Sequence, residues 1–191
     1  MTRTYNMARR SESASRTNER IADCTEELLS SLPIGEVTLQ AIATGSGVSV
    51  QTVLRHMGSR DGCLAAVRER VSARIQDQLA DPADEDVESA ITNLCAHYEA
   101  EGRLVLNLLR QEDTGDELAK EAVATGRTFH RTWVERCFQP MLADPTQAAI
   151  DALVVATDIY VWKVLRLDLH RSAAATQAVM SQLVHAQLES K

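Results

Sequence analysis

The chain has 191 residues, enough for one large domain or two small ones, and is 45% hydrophobic but only 4% aromatic. That balance, carried by Ala, Leu, Val, Glu, Gln and Arg, favours an all-α protein with a real core. The net charge of −7 is unevenly spread: residues 1–80 hold 10 basic and 9 acidic side chains, residues 81–191 hold 10 and 18. The excess acid thus lies in the C-terminal part, and a DNA-binding head is permitted although the whole chain is acidic.

No run of about 18 apolar residues is present to span a membrane. The polar start, Met1 to Ser15, has no apolar stretch behind Arg3, Arg9 and Arg10 and does not read as a secretory signal. A cytoplasmic protein is expected. Cysteines 24, 63, 95 and 137 are far apart with no CxxC pair, and read as small buried hydrophobes rather than as a zinc site or a disulfide framework.

Residues 1–15, rich in Ser, Thr and Arg, read as a flexible arm. A first helix is predicted from about Arg16 to Leu32, with Ile21, Cys24, Leu28 and Leu32 on one stripe, ended by Pro33 and Gly35. Thr38 caps a short helix over Leu39 to Thr44, and Gly45-Ser46-Gly47 breaks it. Ser49 caps the next, from Val50 to about His56. The alternation in Val48–Val53 also suits a strand, but the stretch is short and lacks a partner strand. Gly58 ends that helix, and Ser59 caps a long one to about Ala80, with Leu64, Val67, Val71, Ile75 and Leu79 inward.

Asp81-Pro82 opens an acidic linker through Glu88. Five helices are predicted beyond it: Glu85–Glu101, ended by Gly102; a short one over Arg103–Gln111; Asp116–Gln139, ended by Pro140; a fourth from Asp144 as N-cap, with Pro145 first, to about His170; and a last from Ser172 to about Leu188. The penultimate helix is apolar on more than one face. With the last helix it is expected to form the interface of a homodimer, two helices from each chain.

The informative segment is Val37 to Leu64: helix, tight Gly turn, short polar helix, tight turn, long helix. The middle helix is too short and polar for a core element, and it shows Val50, Gln51, Leu54 and Arg55 on its open side. A helix fits the major groove, where Gln pairs with adenine and Arg with guanine. Thr52, His56 and Arg60 offer donors to phosphates.

This segment resembles the TetR family of bacterial transcriptional regulators. Thr38, Ile42, Ala43, Gly47, Val48, Ser49, Thr52, Val53, His56, Ser59, Asp61 and Leu64 stand where the family pattern has them. The motif covers about residues 16–80; the later helices fit in number and order only. Three positions depart: Leu54 replaces a Tyr whose hydroxyl contacts phosphate, Met57 replaces a Phe, and Arg60 replaces a Lys while keeping its charge. The resemblance implies that Gln40, Val50, Gln51 and Arg55 face base edges, while Thr38, Thr52, His56 and Arg60 hold phosphates of double-stranded DNA. Leu54 is placed either as a lost phosphate clamp or against a thymine methyl. The arginines of the arm, with Arg16, are candidates for the minor groove.

The expected architecture is an all-α chain of about nine helices. Residues 1–15 form the arm, residues 16–62 the helix-turn-helix head, and residues 63–191 an effector-binding and dimerisation body. The resemblance implies a repressor that releases an inverted-repeat operator when a small molecule enters the body. Candidate pocket residues, besides the apolar Leu104–Leu109 stretch, are Tyr98, Asn107, Arg110, His130, Trp133 and Asp158.

The sequence carries none of the phosphate-loop, metalloprotease, nucleophile-elbow or dinucleotide motifs, so no catalytic residue, cofactor or metal is expected. None of the five histidines has Glu three residues before it, as a carboxylate di-metal bundle needs. His97 and Glu101 at i, i+4 read as a surface contact rather than as metal ligands. The alternative reading is a helical ligand- or metal-binding protein or enzyme whose helix-turn-helix serves only protein contacts.

Overall fold

The computed structural model describes residues 2–79 and 86–189, with side chains from Glu12 onward. Among them there is no strand; helices follow one another through short turns. The first, α1, spans Thr2–Ser31. It buries Ile21, Ala22, Cys24 and Leu29; of the predicted stripe, Ile21 and Cys24 are buried and Leu28 and Leu32 are half-buried. Its start differs from the expected Arg16: the polar segment before Arg16 contains no Gly or Pro to stop a helix, and the same helix runs back to Thr2. The side chains of Arg3, Arg9 and Arg10 lie outside the described residues.

Three helices complete the head, and each begins on the cap that the sequence indicates. Thr38 Oγ1 accepts from the Ala41 N–H at 3.1 Å and starts α2, Leu39–Ser46. Ser49 Oγ accepts from Thr52 N–H at 3.1 Å and starts α3, Val50–Met57. Ser59 Oγ accepts from Gly62 N–H at 3.0 Å and starts α4, Arg60–Gln78. Each such cap stabilises its helix by about 1 kcal/mol. Gly47 (φ 65°) and Gly58 (φ 78°) end α2 and α3 in the left-handed region that a side chain disfavours. The expected end of α4 at Ala80, and most of the acidic linker, lie outside the described residues.

The body departs from the predicted helix boundaries twice. A single helix α5, Val87–Leu109, replaces the two helices expected on either side of Gly102. Gly102 does not stop the helix; it makes room. A Cβ there would stand 2.8 Å from the ring carbons of Trp162, so the indole packs directly on the α5 backbone. Next comes α6, Glu117–Phe138, close to the predicted Asp116–Gln139, with Asp116 outside the helix as its cap.

The single helix expected from Asp144 to His170 is divided. Thr146, not Asp144, caps α7, Gln147–Ala156. Thr157 then leaves the helix, its hydroxyl donating to Leu153 O at 2.8 Å. Asp158 accepts the Tyr160 N–H at 2.8 Å and starts α8, Ile159–Lys163, which runs into a π-helical turn over Val164–Asp168. The chain ends in α9, Ala173–Leu188, capped by Ser172 as predicted.

Two apolar clusters result. The head core joins Ile21, Ile42, Val53, Cys63 and Val67 to Leu104 of α5 and Ala119 of α6, past the head boundary expected at residue 62. The body core joins Ile91, Leu94, Trp133, Phe138, Leu153, Trp162, Met180 and Val184. All four cysteines are buried, as small hydrophobes. Because α5 and α6 each contribute to both cores, head and body meet along these two helices.

Two glycines within the body helices give opposite expectations. Gly102→Ala forces a Cβ into the Trp162 ring and is expected to destabilise by about 1–3 kcal/mol. Gly126→Ala, on exposed α6 backbone with open space around it, is expected to stabilise by about 0.5–1 kcal/mol. Urea unfolding of the two variants checks both signs.

Candidate nucleic-acid interface and its attachment to the body

Helix α3 attaches to the head by one side. Val53 is fully buried, and Val50 and Met57 are half-buried against the head core. The other side is open: Gln51, Leu54 and Arg55 are exposed, and with Ser49 and Thr52 they line a shallow concavity. Thr38 and Gln40, at the start of α2, are also exposed. Thr38 spends its hydroxyl as a cap, and Gln40 Nε2 makes a long 3.4 Å contact to Thr44 Oγ1.

The other residues expected to hold phosphates also have partners within the protein. Thr52 Oγ1 lies 2.9 Å from Ser49 Oγ. His56 Nδ1 lies 2.6 Å from Asn18 Oδ1 of α1. Arg60 turns back on the turn between α1 and α2, where its Nε donates to Val37 O at 2.6 Å and its Nη2 to Ile34 O. Arg60 therefore clamps that turn. On the other side of the head, Arg20 of α1 donates to the carbonyls of Ser46 and Gly47, which fixes the turn between α2 and α3. Neither Asn18 nor Arg20 was singled out in the sequence, since their partners are 38 and 26 residues away.

The head is held to α5 by buried polar side chains. Arg74 of α4 pairs with Glu26 of α1 at 2.5 Å and with Glu101 of α5 at 2.7 Å. Glu101 is only 4% exposed, so its charge depends on that guanidinium. Asn107 Nδ2 donates to Leu29 O and Leu32 O, each at 2.7 Å, and so satisfies carbonyls that the end of α1 leaves unpaired. Gln111 Oε1 accepts the Ile34 N–H at 2.7 Å. Asn107, expected in an effector pocket, is thus a strut of the junction, and Arg110, also expected there, is an exposed neighbour donating to Asn107 Oδ1 at 3.0 Å.

The other four pocket candidates do converge, around the break between α7 and α8. Tyr98 is buried and its hydroxyl donates to Thr157 O at 2.9 Å. His130 Nε2 lies 3.0 Å from Thr157 Oγ1. Since that hydroxyl donates to Leu153 O, the imidazole Nε2–H is the donor to it. Trp133 is buried and lies nearly parallel to the His130 ring, at 6.2 Å between centroids. Asp158, half-buried, is spent as the cap of α8. Burial lowers the His130 pKa against the opposing pull of Asp158.

Next to Tyr98 on α5, His97 is 6% exposed and its Nδ1 has no partner. Burial, with the charges of His130 and Arg74 adding, pushes its pKa down to about 4. His97 and Glu101 are therefore not the surface pair expected from their spacing. No group of three or more metal-binding side chains occurs among the described residues, and no helix there is long and apolar enough to cross a membrane.

No family model matches the sequence, and no curated protein is significantly similar to it. Solved structures do match. A TetR-like transcriptional regulator from Rhodococcus sp. RHA1 superposes with a TM-score of 0.68 at 18% identity, over 92% of this chain and 97% of that one. A TerR/AcrR-family transcriptional regulator from Aquifex aeolicus VF5 superposes with a TM-score of 0.66 at 12% identity, over 89% and 98%. The chain has the fold of TetR-like transcriptional regulators. The likeness extends through the body, where the sequence motif of the head does not reach.

The buried imidazole of His97 makes stability depend on pH. Its pKa is about 4 when folded against 6.5 for a solvated imidazole, so between these values the unfolded chain binds the proton more readily. The stabilisation is complete above about pH 6.5 and is lost as pH falls towards 4, by on the order of 3 kcal/mol. Urea midpoints measured from pH 7.5 to 4 should fall over this window, and should fall less steeply in His97→Gln.

Proposed function

We propose that the protein is a dimeric DNA-binding transcriptional regulator, a repressor whose release from an inverted-repeat operator is triggered by a small molecule in the body. The observation that carries this reading is the open face of α3. It is a short helix, capped by Ser49 and stopped by Gly58, attached by Val53 and showing Gln51, Leu54 and Arg55 outward. Those side chains suit base edges in a major groove, and the fold is one that transcriptional regulators use. Exposed Thr38 and Gln40 and half-buried Thr52 are suited to the flanking DNA; His56 and Arg60 reach phosphate only by exchanging their present partners.

A dimer is supported by the apolar surface that the C-terminal helices leave uncovered. Val155 is 65% exposed, and Tyr160, Val164, Leu169, Val179 and Leu183 are exposed as well. A shallow groove between α7, α8 and α9 is lined by Ala152, Val155, Val161 and Leu183. The surface lies on α7, α8, the π-helical turn and α9, not on two unbroken helices. Burying it against a second copy places two α3 helices on one duplex, and a two-fold pair of readers requires an inverted repeat.

Effector binding is supported by the group at the α7–α8 break. Tyr98, His130 and Thr157 set hydrogen-bonding atoms in an otherwise aromatic and aliphatic core, which suits a small molecule with a few polar groups. A ligand preferring one arrangement of the body changes DNA affinity by its differential binding alone.

Selection from a random duplex library at moderate salt, with Arg55→Ala in parallel, checks the reading. The full-length protein should enrich an inverted repeat, and Arg55→Ala should lose the preference at one position per half-site, by about 1–3 kcal/mol. Absence of enrichment at every salt concentration would refute DNA reading.

A further inference from the structure

The face that α3 turns outward contains one side chain that neither donates nor accepts hydrogen bonds. Leu54 is 41% exposed. It lines the same concavity as Gln51 and Arg55, and neither apolar cluster of the protein takes it up. Its neighbours are groups whose natural partners are donors and acceptors, so in the free protein its methyls face water among polar side chains.

A leucine cannot hold a phosphate. Against most base edges it strips water from donors and acceptors and returns nothing, which costs affinity. The major groove offers one apolar surface, the 5-methyl group of thymine. Leu54 therefore favours thymine twice over, by contact with the methyl and by penalising the edges that need hydrogen bonds. Its register is constrained too. Leu54 stands three residues after Gln51, about 4.5 Å along the helix axis, and one base step is about 3.4 Å along each strand. It thus addresses a base pair next to, or one beyond, the pair that Gln51 faces.

We propose that Leu54 is a specificity-determining residue that recognises the 5-methyl group of one thymine in each half-site, close to the base pair addressed by Gln51. This rests on the DNA reading above. It states what the duplex must carry: a methyl on a pyrimidine, not merely a hydrogen-bonding edge.

Deoxyuridine is the direct probe, because it keeps every hydrogen-bonding group of thymidine and lacks only the methyl. In the duplex enriched by the full-length protein, each thymidine is replaced singly by deoxyuridine, and affinity is measured for wild type and Leu54→Ala. One position per half-site should lose about fourfold in wild type, the worth of one buried methyl. Leu54→Ala should bind thymidine and deoxyuridine there equally. Should that variant bind weakly, lower salt restores measurable affinity without adding base contacts, and Leu54→Val, which keeps two methyls, should retain part of the discrimination. A flat deoxyuridine scan, or a sensitivity that persists unchanged in Leu54→Ala, overturns the proposal while leaving the DNA reading intact. Failure to enrich any duplex overturns both.

Discussion

Arg74 joins three helices through two carboxylates, and the placement of the head depends on it. Glu101 lies almost wholly inside the protein, where an unpaired carboxylate costs several kcal/mol. The planar guanidinium meets that charge from α4 and reaches Glu26 of α1 at the same time. An ammonium group on a flexible stem lacks that forked geometry. Next to this node, Asn107 and Gln111 of the α5 end bind the carbonyls and amide that the end of α1 leaves open. Apolar packing alone tolerates sliding; directed hydrogen bonds to one turn of backbone fix a register.

The same short stretch of α5 serves the body. Glu99 accepts from Trp162 Nε1 at 3.1 Å and pairs with Arg166 of the π-helical turn. Tyr98 holds the carbonyl freed where α7 stops, and Gly102 admits the Trp162 ring. Residues 97–102 thus touch Thr157, α8 and the π-helical turn on one side and the Arg74 node on the other. A change in how α8 lies on α5 has a direct physical route to α1 and α4, and from them to α3. Under the proposed function, this is the segment whose two arrangements a ligand would weigh against each other.

What the sequence made legible was local. The caps Thr38, Ser49, Ser59 and Ser172 act within three residues, and all four start the helices read from them. The open face of α3 followed from period and polarity over eight residues, except for Val50, which reads as open but packs half-buried against the head core because it shares the side of Val53. The errors came where distant contacts decide. Gly102 reads as a stop, but Trp162, sixty residues on, makes it a packing site. The apolar run after Pro145 reads as one helix, yet Thr157 and Asp158 carry the signature of a cap inside it. Asn107, Arg60 and His56 read as ligand or phosphate contacts because their side chains are polar. Their partners, 23 to 78 residues away, are not visible in any window of sequence.

The central claim is that the junction at Arg74 and Asn107 fixes how α3 is presented to DNA. Half-site spacing measures this most directly, because it reports the separation and orientation of the two reading helices. Duplexes selected by wild type should share one spacing, whereas those selected by Asn107→Ala, with its helical content intact, should show a broadened range of spacings at reduced affinity. An equally sharp, unchanged spacing in the variant would contradict the account and place control of the head elsewhere.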